Sequence, residues 1–142
     1  MTKYYVAYGA DLDSEVMKTL CPTAQPIARA WVFGVDLDFA ESKNPLLQAT
    51  LRFAKHESAA TPVIVYELDE AGQEALANAY EGHKRIAVGV DIDGKEIEGF
   101  VYVPTGKPLQ RPCRACYQAL IGGYKRLHDM TFRKGRAANE AI

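Results

Sequence analysis

The stretch Tyr5-Val6-Ala7-Tyr8-Gly9-Ala10-Asp11-Leu12 joins a β-rich segment to a glycine turn and then to a short helix. Its first half is rich in the aromatic and β-branched residues that strands favour. Gly9 ends the predicted strand, and Asp11 or Asp13 then caps a helix over Ser14–Leu20. Backbone N–H groups in such a turn can face an anion, so we interpret the turn as a candidate substrate cradle.

A second stretch, Tyr80-Glu81-Gly82, lies between a predicted helix over 71–80 and a following strand. Gly82 is a typical helix stop signal. A carboxylate at a helix end is one part that a small proton-transfer site needs. Glu81 taken alone is more often a solvated acid, so a catalytic role requires support from the rest of the chain.

Length and composition limit the class of protein. The chain has 142 residues, is 48% hydrophobic and 25% charged, and carries a formal net charge of −1. This length suits one domain with a substantial core, and the charge provides no basic field for nucleic acid. No apolar run is long enough to cross a bilayer, and the start lacks a signal-peptide layout. We expect one cytoplasmic domain over residues 1–130 and a charged, mobile tail over 131–142.

The three cysteines are Cys21, Cys113 and Cys116, and an odd count argues against a disulfide framework. Cys113 and Cys116 have the C-x-x-C spacing of redox and zinc sites. No second such pair and no close histidine pair supplies the other zinc ligands. We therefore expect no metal and interpret the pair as ordinary helix cysteines, with a thiol-based sensor as the alternative.

The remaining pattern alternates short strands with a few helices. Strands are predicted at 4–8, 29–39, 49–53, 63–68, 86–92 and 96–103, and helices at Ser14–Leu20, 71–80 and 114–127. Gly34 predicts a bend within its strand, Asp93-Gly94 predicts a hairpin turn, and residues 55–61 are a predicted loop. About six strands and three helices with short connections predict an α+β fold.

A series of short motifs runs in order from Tyr4 to about Leu127. They are Tyr8-Gly9-Ala10-Asp11-Leu12, Cys21-Pro22, the strand from Gly34 to Phe39, Ala49-Thr50-Leu51, the strand over 63–68, Tyr80-Glu81-Gly82, Arg85, Val101-Tyr102-Val103, and the helix start from Pro112 to Tyr117. In this order they resemble the gamma-glutamylcyclotransferase-like superfamily, which includes gamma-glutamylamine cyclotransferases and avirulence-induced-gene-like plant proteins. The resemblance implies a small mixed β-barrel with flanking helices.

The reaction implied by the resemblance is an intramolecular acyl transfer that needs no cofactor or metal. The α-amine of a γ-glutamyl group attacks its own side-chain amide and releases 5-oxoproline and an amine. By resemblance Glu81 is the general base, and burial beside Tyr80, Tyr102 and Tyr117 would have to raise its pKa for work near neutral pH. The implied substrate-binding residues are Tyr8, Gly9, Ala10, Asp11, Leu12, Tyr102 and Tyr117.

Two residues depart from the pattern of that superfamily. Ala10 stands where a serine is usual, and Asp11 stands where an asparagine is usual. Ala10 removes a hydroxyl but leaves the backbone N–H groups in place. Asp11 would put a negative charge beside the substrate α-carboxylate, at a cost on the order of 1 kcal/mol or more. The alternative is therefore a catalytically inactive, small-ligand-binding member. The expected partner is a small γ-glutamyl compound of the kind found in glutathione or γ-glutamyl amine metabolism. A homodimer is a further alternative that the sequence does not decide.

Overall fold

The computed structural model describes residues 3–54 and 59–127. Most of the predicted loop over 55–61 and the predicted mobile tail over 131–142 lie outside the described residues.

Eight strands and three α-helices follow one another in the described part of the chain. The strands are β1 (Lys3–Ala7), β2 (Gln25–Phe33), β3 (Val35–Ala40), β4 (Ala49–Phe53), β5 (Ala60–Leu68), β6 (His83–Ile92), β7 (Lys95–Pro104) and β8 (Pro108–Leu109). The helices are α1 (Ser14–Leu20), α2 (Glu70–Ala79) and α3 (Arg114–Arg126). A 3-10 turn over Ala10–Leu12 connects β1 to α1.

Five of the strands close into a barrel in the order β1-β5-β2-β6-β7. Neighbouring strands are antiparallel except at the closure, where β1 and β7 run parallel and meet at Tyr5 and Phe100. The other three form a separate sheet in the order β4-β3-β8. The predicted α+β class with a small mixed barrel is confirmed.

Gly34 divides what the alternation predicts to be a single strand over 29–39. β2 ends at Phe33 in the barrel, and β3 begins at Val35 in the three-stranded sheet. Gly34 has φ +80°, a left-handed conformation that glycine adopts without steric cost. The single-strand prediction is wrong because the two-residue alternation continues across the bend, although the bend itself was predicted at this residue.

Another boundary differs at the start of β5, which begins at Ala60 inside the predicted loop. Thr61 is buried there, and its hydroxyl donates to the carbonyl of Val35 at 3.0 Å. This bond satisfies the polar side chain and ties the barrel to the three-stranded sheet. The predicted hairpin at Asp93-Gly94 joins β6 to β7 in continuous register.

An aspartate caps the N-terminus of both α1 and α2, and the structure decides between Asp11 and Asp13 as the cap of α1. Asp13 caps α1 by accepting a hydrogen bond from the Glu15 N–H at 2.9 Å, and Asp69 caps α2 through the Gly72 N–H at 2.7 Å. The alternative that Asp11 is the cap is wrong because Asp11 is buried in the preceding turn, where its carboxyl accepts from the hydroxyls of Tyr5 and Tyr80. No helix in the described residues is long and apolar enough to span a membrane.

Candidate functional site

Asp11 is a fully buried carboxylate in the turn that follows β1, with 1% of its surface exposed. The hydroxyls of Tyr5 and Tyr80 both donate to its Oδ2 atom, the latter at 2.5 Å. The N–H of Gly9 donates to Oδ1 at 3.3 Å. Burial raises the pKa of Asp11, and these hydrogen bonds act in the opposite direction. Both oxygens are engaged within the protein, so Asp11 holds β1 against the end of α2.

A small inner cavity adjoins this carboxylate. It is lined by Tyr5, Tyr8, Gly9, Ala10, Asp11, Leu47, Ala49, Tyr80 and Tyr102. Its volume is about 10 Å³, which is room for about one water molecule. A substrate of the γ-glutamyl class is far larger than this space.

Packing around Gly9 accounts for the small size of the inner cavity. A Cβ atom built on Gly9 would lie 2.6 Å from the Cβ of Ala49, so a side chain does not fit there. The Tyr8 hydroxyl lies 2.9 Å from the Ala49 carbonyl oxygen and 2.7 Å from that of Tyr102. These contacts fix the turn between two other strands, and its glycine is required by close approach.

Glu81 lies at the tip of a tight turn that ends α2. The His83 N–H donates to the Tyr80 carbonyl at 3.0 Å, and Gly82 takes φ +86°. The Glu81 side chain is 77% exposed and pairs with Lys43, whose Nζ lies 3.4 Å from Oε1. The expectation that Glu81 is buried is wrong, because this turn directs the side chain away from the aromatic core.

A larger open cavity, of about 340 Å³, lies beside Glu81. Its walls come from the segment after β3, the Glu81 turn and the end of β7. They comprise Glu41, Ser42, Lys43, Glu81, Gly82, His83, Pro104, Thr105 and Gly106. The volume falls within the range of small-molecule sites, and charges of both signs face it.

Two buried polar atoms on residues that line the open cavity have no hydrogen-bond partner within the described chain: Ser42 Oγ and His83 Nδ1. The other ring nitrogen, His83 Nε2, lies 3.1 Å from the Leu47 carbonyl oxygen. A carbonyl oxygen only accepts, so Nε2 is the donor in this contact. Buried polar groups are normally satisfied, so each of these two atoms needs a partner from outside the described chain, such as a water or a ligand.

The structure separates the predicted site residues into groups. Tyr8, Gly9, Ala10, Asp11 and Tyr102 line the inner cavity. Glu81 lines the open cavity. The predicted substrate cradle and the predicted base therefore face different cavities. The hydrogen bond from Tyr80 to Asp11 connects the segment that carries Glu81 to the turn that forms the cradle.

Leu12 and Tyr117 fall outside the linings of both cavities. Leu12 is 1% exposed, and α3 crosses so closely that a Cβ atom on Gly123 would lie 2.5 Å from the Leu12 Cβ. Tyr117 is 53% exposed on α3, so it forms no wall beside Glu81. Of the predicted walls, Tyr80 and Tyr102 do meet, with stacked rings whose centroids are 4.9 Å apart.

Sequence reasoning missed Ser42, Lys43 and His83 in the open cavity, and Tyr5 in the inner one. His83 lies only two residues after Glu81, and this proximity in the sequence could have indicated that it belongs to the same site. Ser42 and Lys43 come from a polar loop, and only the folded chain brings that loop beside Glu81. Among the described residues, no group of three or more His, Cys, Asp or Glu side chains is placed to hold a metal ion.

No family model and no curated protein matches the sequence, whereas solved structures do. A gamma-glutamyl cyclotransferase structure matches with a TM-score of 0.76 and 21% identity, covering 89% of this chain and 80% of that one. An uncharacterized protein from Homo sapiens matches with a TM-score of 0.76 and 22% identity, covering 88% and 79%. An aig2-like protein from Mus musculus matches with a TM-score of 0.53 and 19% identity, covering 73% and 78%. The chain therefore has the gamma-glutamylcyclotransferase-like fold that its ordered motifs predicted.

Proposed function

We propose that this protein is a gamma-glutamyl cyclotransferase-type enzyme that releases 5-oxoproline from a small γ-glutamyl amide or amine. The observation that carries the proposal is the pair of opposite charges on Glu81 and Lys43, 3.4 Å apart at the open cavity. The head group of a γ-glutamyl compound bears an ammonium and a carboxylate on one carbon. Glu81 can pair with the ammonium and Lys43 with the carboxylate, each exchanging one partner for another.

Glu81 is the general base in this proposal. It removes a proton from the substrate ammonium, because only the free amine can attack. The amine nitrogen then bonds to the side-chain amide carbon and gives up a second proton. The bond from that carbon to the leaving nitrogen breaks, and the leaving amine takes up that proton. Attack within one molecule benefits from a high effective concentration once the chain is held curled.

Ser42 and His83 support binding in the open cavity. Each has a buried polar atom that the described protein leaves without a partner. A rotation of the Ser42 hydroxyl toward a substrate amide would satisfy it, and in a neutral ring that donates through Nε2, His83 Nδ1 would accept a hydrogen bond. The amide N–H and carbonyl of a γ-glutamyl compound offer both kinds of partner.

The test is release of 5-oxoproline from γ-glutamyl peptides and γ-glutamyl amines. The wild type should form 5-oxoproline from compounds with a free α-amine and none from the same compounds after N-acetylation. Glu81→Gln should lower kcat by about 100-fold or more, in the range lost with a general base. Glu74→Gln is the matched control, since Glu74 is an exposed acid on α2 outside the cavity lining. Full activity in Glu81→Gln would exclude the assigned base.

A second candidate is a small-ligand-binding protein without catalysis. It is favoured by the 77% exposure of Glu81 and by the volume of about 10 Å³ beside Gly9 and Ala10. Calorimetric titration with the same γ-glutamyl compounds separates the two. Saturable binding by a wild type that forms no 5-oxoproline supports this candidate and rejects the enzyme.

A further inference from the structure

The C-x-x-C pair lies at the start of α3. Cys113 is the N-cap residue and Cys116 is in the first turn. Residues three apart at a helix start have Cα atoms roughly 5 to 6 Å apart, within the range that a disulfide spans. Both are free thiols in the structure; Cys113 is partly exposed and Cys116 is buried. The two thiols therefore differ in access but are near enough to be joined.

Both cysteines hold the segment over residues 45–49. The Cys113 N–H donates to Gln48 Oε1 at 2.7 Å, and the Cys113 thiol donates to the Pro45 carbonyl at 3.1 Å. The Cys116 thiol lies against the backbone of Gln48 and Ala49. The start of α3 is thus an anchor for this segment.

The 45–49 segment is also part of the candidate site. The Leu47 carbonyl accepts from His83, and the Ala49 carbonyl accepts from the Tyr8 hydroxyl. Leu47 and Ala49 both line the inner cavity. A change at the cysteines therefore reaches residues of both cavities through one short segment.

We propose that Cys113 and Cys116 form a redox-active dithiol that low-molecular-weight disulfides such as glutathione disulfide oxidise, and that oxidation loosens the 45–49 segment. The Cys113 thiolate attacks one sulfur of glutathione disulfide, giving a mixed disulfide and one glutathione. The Cys116 thiolate then attacks the Cys113 sulfur and displaces the second glutathione. The protein loses two electrons and two protons, and glutathione disulfide gains them.

The order of the two steps follows from access. Cys113 is the exposed partner and meets the external disulfide first. Burial raises the pKa of the Cys116 thiol, so this group reacts second, as an internal nucleophile. A disulfide sulfur carries no hydrogen, so oxidation removes the bond from the Cys113 thiol to the Pro45 carbonyl. This inference does not depend on the proposed activity.

The first test equilibrates the full chain in buffers with different ratios of glutathione to glutathione disulfide, followed by alkylation and tryptic mass mapping. Trypsin cleaves after Arg114, between the two cysteines, so an internal disulfide leaves two peptides joined. We expect this linked species, reversed by added glutathione, with Cys21 alkylatable after denaturation. Cys113→Ser should take up no glutathione at Cys116, and Cys116→Ser should accumulate the mixed disulfide at Cys113. Free thiols at both positions in glutathione disulfide alone, or a mixed disulfide in the wild type that never resolves, would overturn the proposal.

The second test measures amide hydrogen exchange in the reduced and oxidised protein. The amide of Leu47, which donates to the Asn44 carbonyl at 2.9 Å, should exchange faster after oxidation. The amides of β5, which pairs with β1 on one edge and β2 on the other, should be unchanged and serve as the internal control. Equal exchange at 45–49 in the two redox states would overturn the link between the dithiol and the site.

Discussion

The hydroxyl of Tyr80 donates a hydrogen bond to Oδ2 of Asp11, joining the residue before Glu81 to the turn after β1. The two stretches that the sequence marked as one site are connected through this bond, although Glu81 itself faces the open cavity. Asp11 thereby has a structural role that was not apparent from the comparison with the superfamily, in which an asparagine is usual at this position. Its carboxyl oxygens accept hydrogen bonds within the protein, and it holds Tyr80, the residue that follows α2.

Removal of the Tyr80 hydroxyl should destabilise the protein. Tyr80→Phe leaves a buried carboxylate with one donor fewer, and we expect a loss of about 1.5–3 kcal/mol in the free energy of unfolding. Tyr117→Phe is the matched control; its ring is 53% exposed, and the change should stay within about 0.5 kcal/mol. Urea denaturation of the three proteins measures both values. Equal stability of Tyr80→Phe and the wild type would contradict the bond.

The stability of the wild type relative to Asp11→Asn should decline as pH rises. Burial raises the pKa of Asp11 above 3.8, so between that value and the folded-state pKa the folded chain binds more protons than the unfolded chain. The Asp11 contribution is therefore greatest below pH 3.8, falls by about 1.4 kcal/mol per pH unit above it, and levels off beyond the folded-state pKa. Urea denaturation of both proteins at a series of pH values gives this difference. A difference that grows with pH would mean that the three hydrogen bonds outweigh burial.

The contact between Gly9 and Ala49 can be tested by a double-mutant cycle. Gly9→Ala places a Cβ atom 2.6 Å from that of Ala49 and should cost about 1–3 kcal/mol of stability. Ala49→Gly removes the obstructing atom, so the double variant should be more stable than the sum of the single changes predicts. Thermal and urea unfolding measure the coupling. Additive effects would show that the turn moves aside instead.

Lys43 should set the affinity for the substrate carboxylate. Lys43→Met should raise KM about 10-fold for a γ-glutamyl amide, since it removes a charged partner, and should change kcat less. The compound 4-aminobutanamide, which lacks the α-carboxylate, should show no such rise. Lys95→Met, at the far end of the β6–β7 hairpin, is the matched control. An equal rise in KM for both compounds would place the carboxylate elsewhere.

The elements were the most predictable part of the molecule. The bounds of α1 and β4 were predicted, as were the hairpin at Asp93-Gly94 and the bend at Gly34. These features follow from local signals, namely caps, alternation and turn residues. The assignment of β3 to a second sheet was not predictable, because sheet membership is decided by distant partners such as β4 and β8.

The site was less predictable than the fold. Tyr8, Gly9 and Ala10 meet Tyr102 as the motifs implied, but the direction of the Glu81 side chain depends on the turn that Gly82 makes. Whether an aspartate is a cap or a buried acceptor depends on which hydroxyls surround it. Tyr5 and Tyr80 are distant in sequence from each other, so periodicity carries no information on their convergence at Asp11.

The parallel closure of the barrel has a consequence for how this chain is made. β1 is synthesised before the other described strands, and its partners β5 and β7 end only at Leu68 and Pro104. One edge of β1 has no partner until β5 is made, and the other has none until the chain reaches Phe100 in β7. Such long-range pairing slows folding and leaves strand edges open to wrong partners. The nascent chain is therefore most vulnerable to aggregation before β7 is complete, and truncation ahead of Phe100 leaves β1 without its β7 partner.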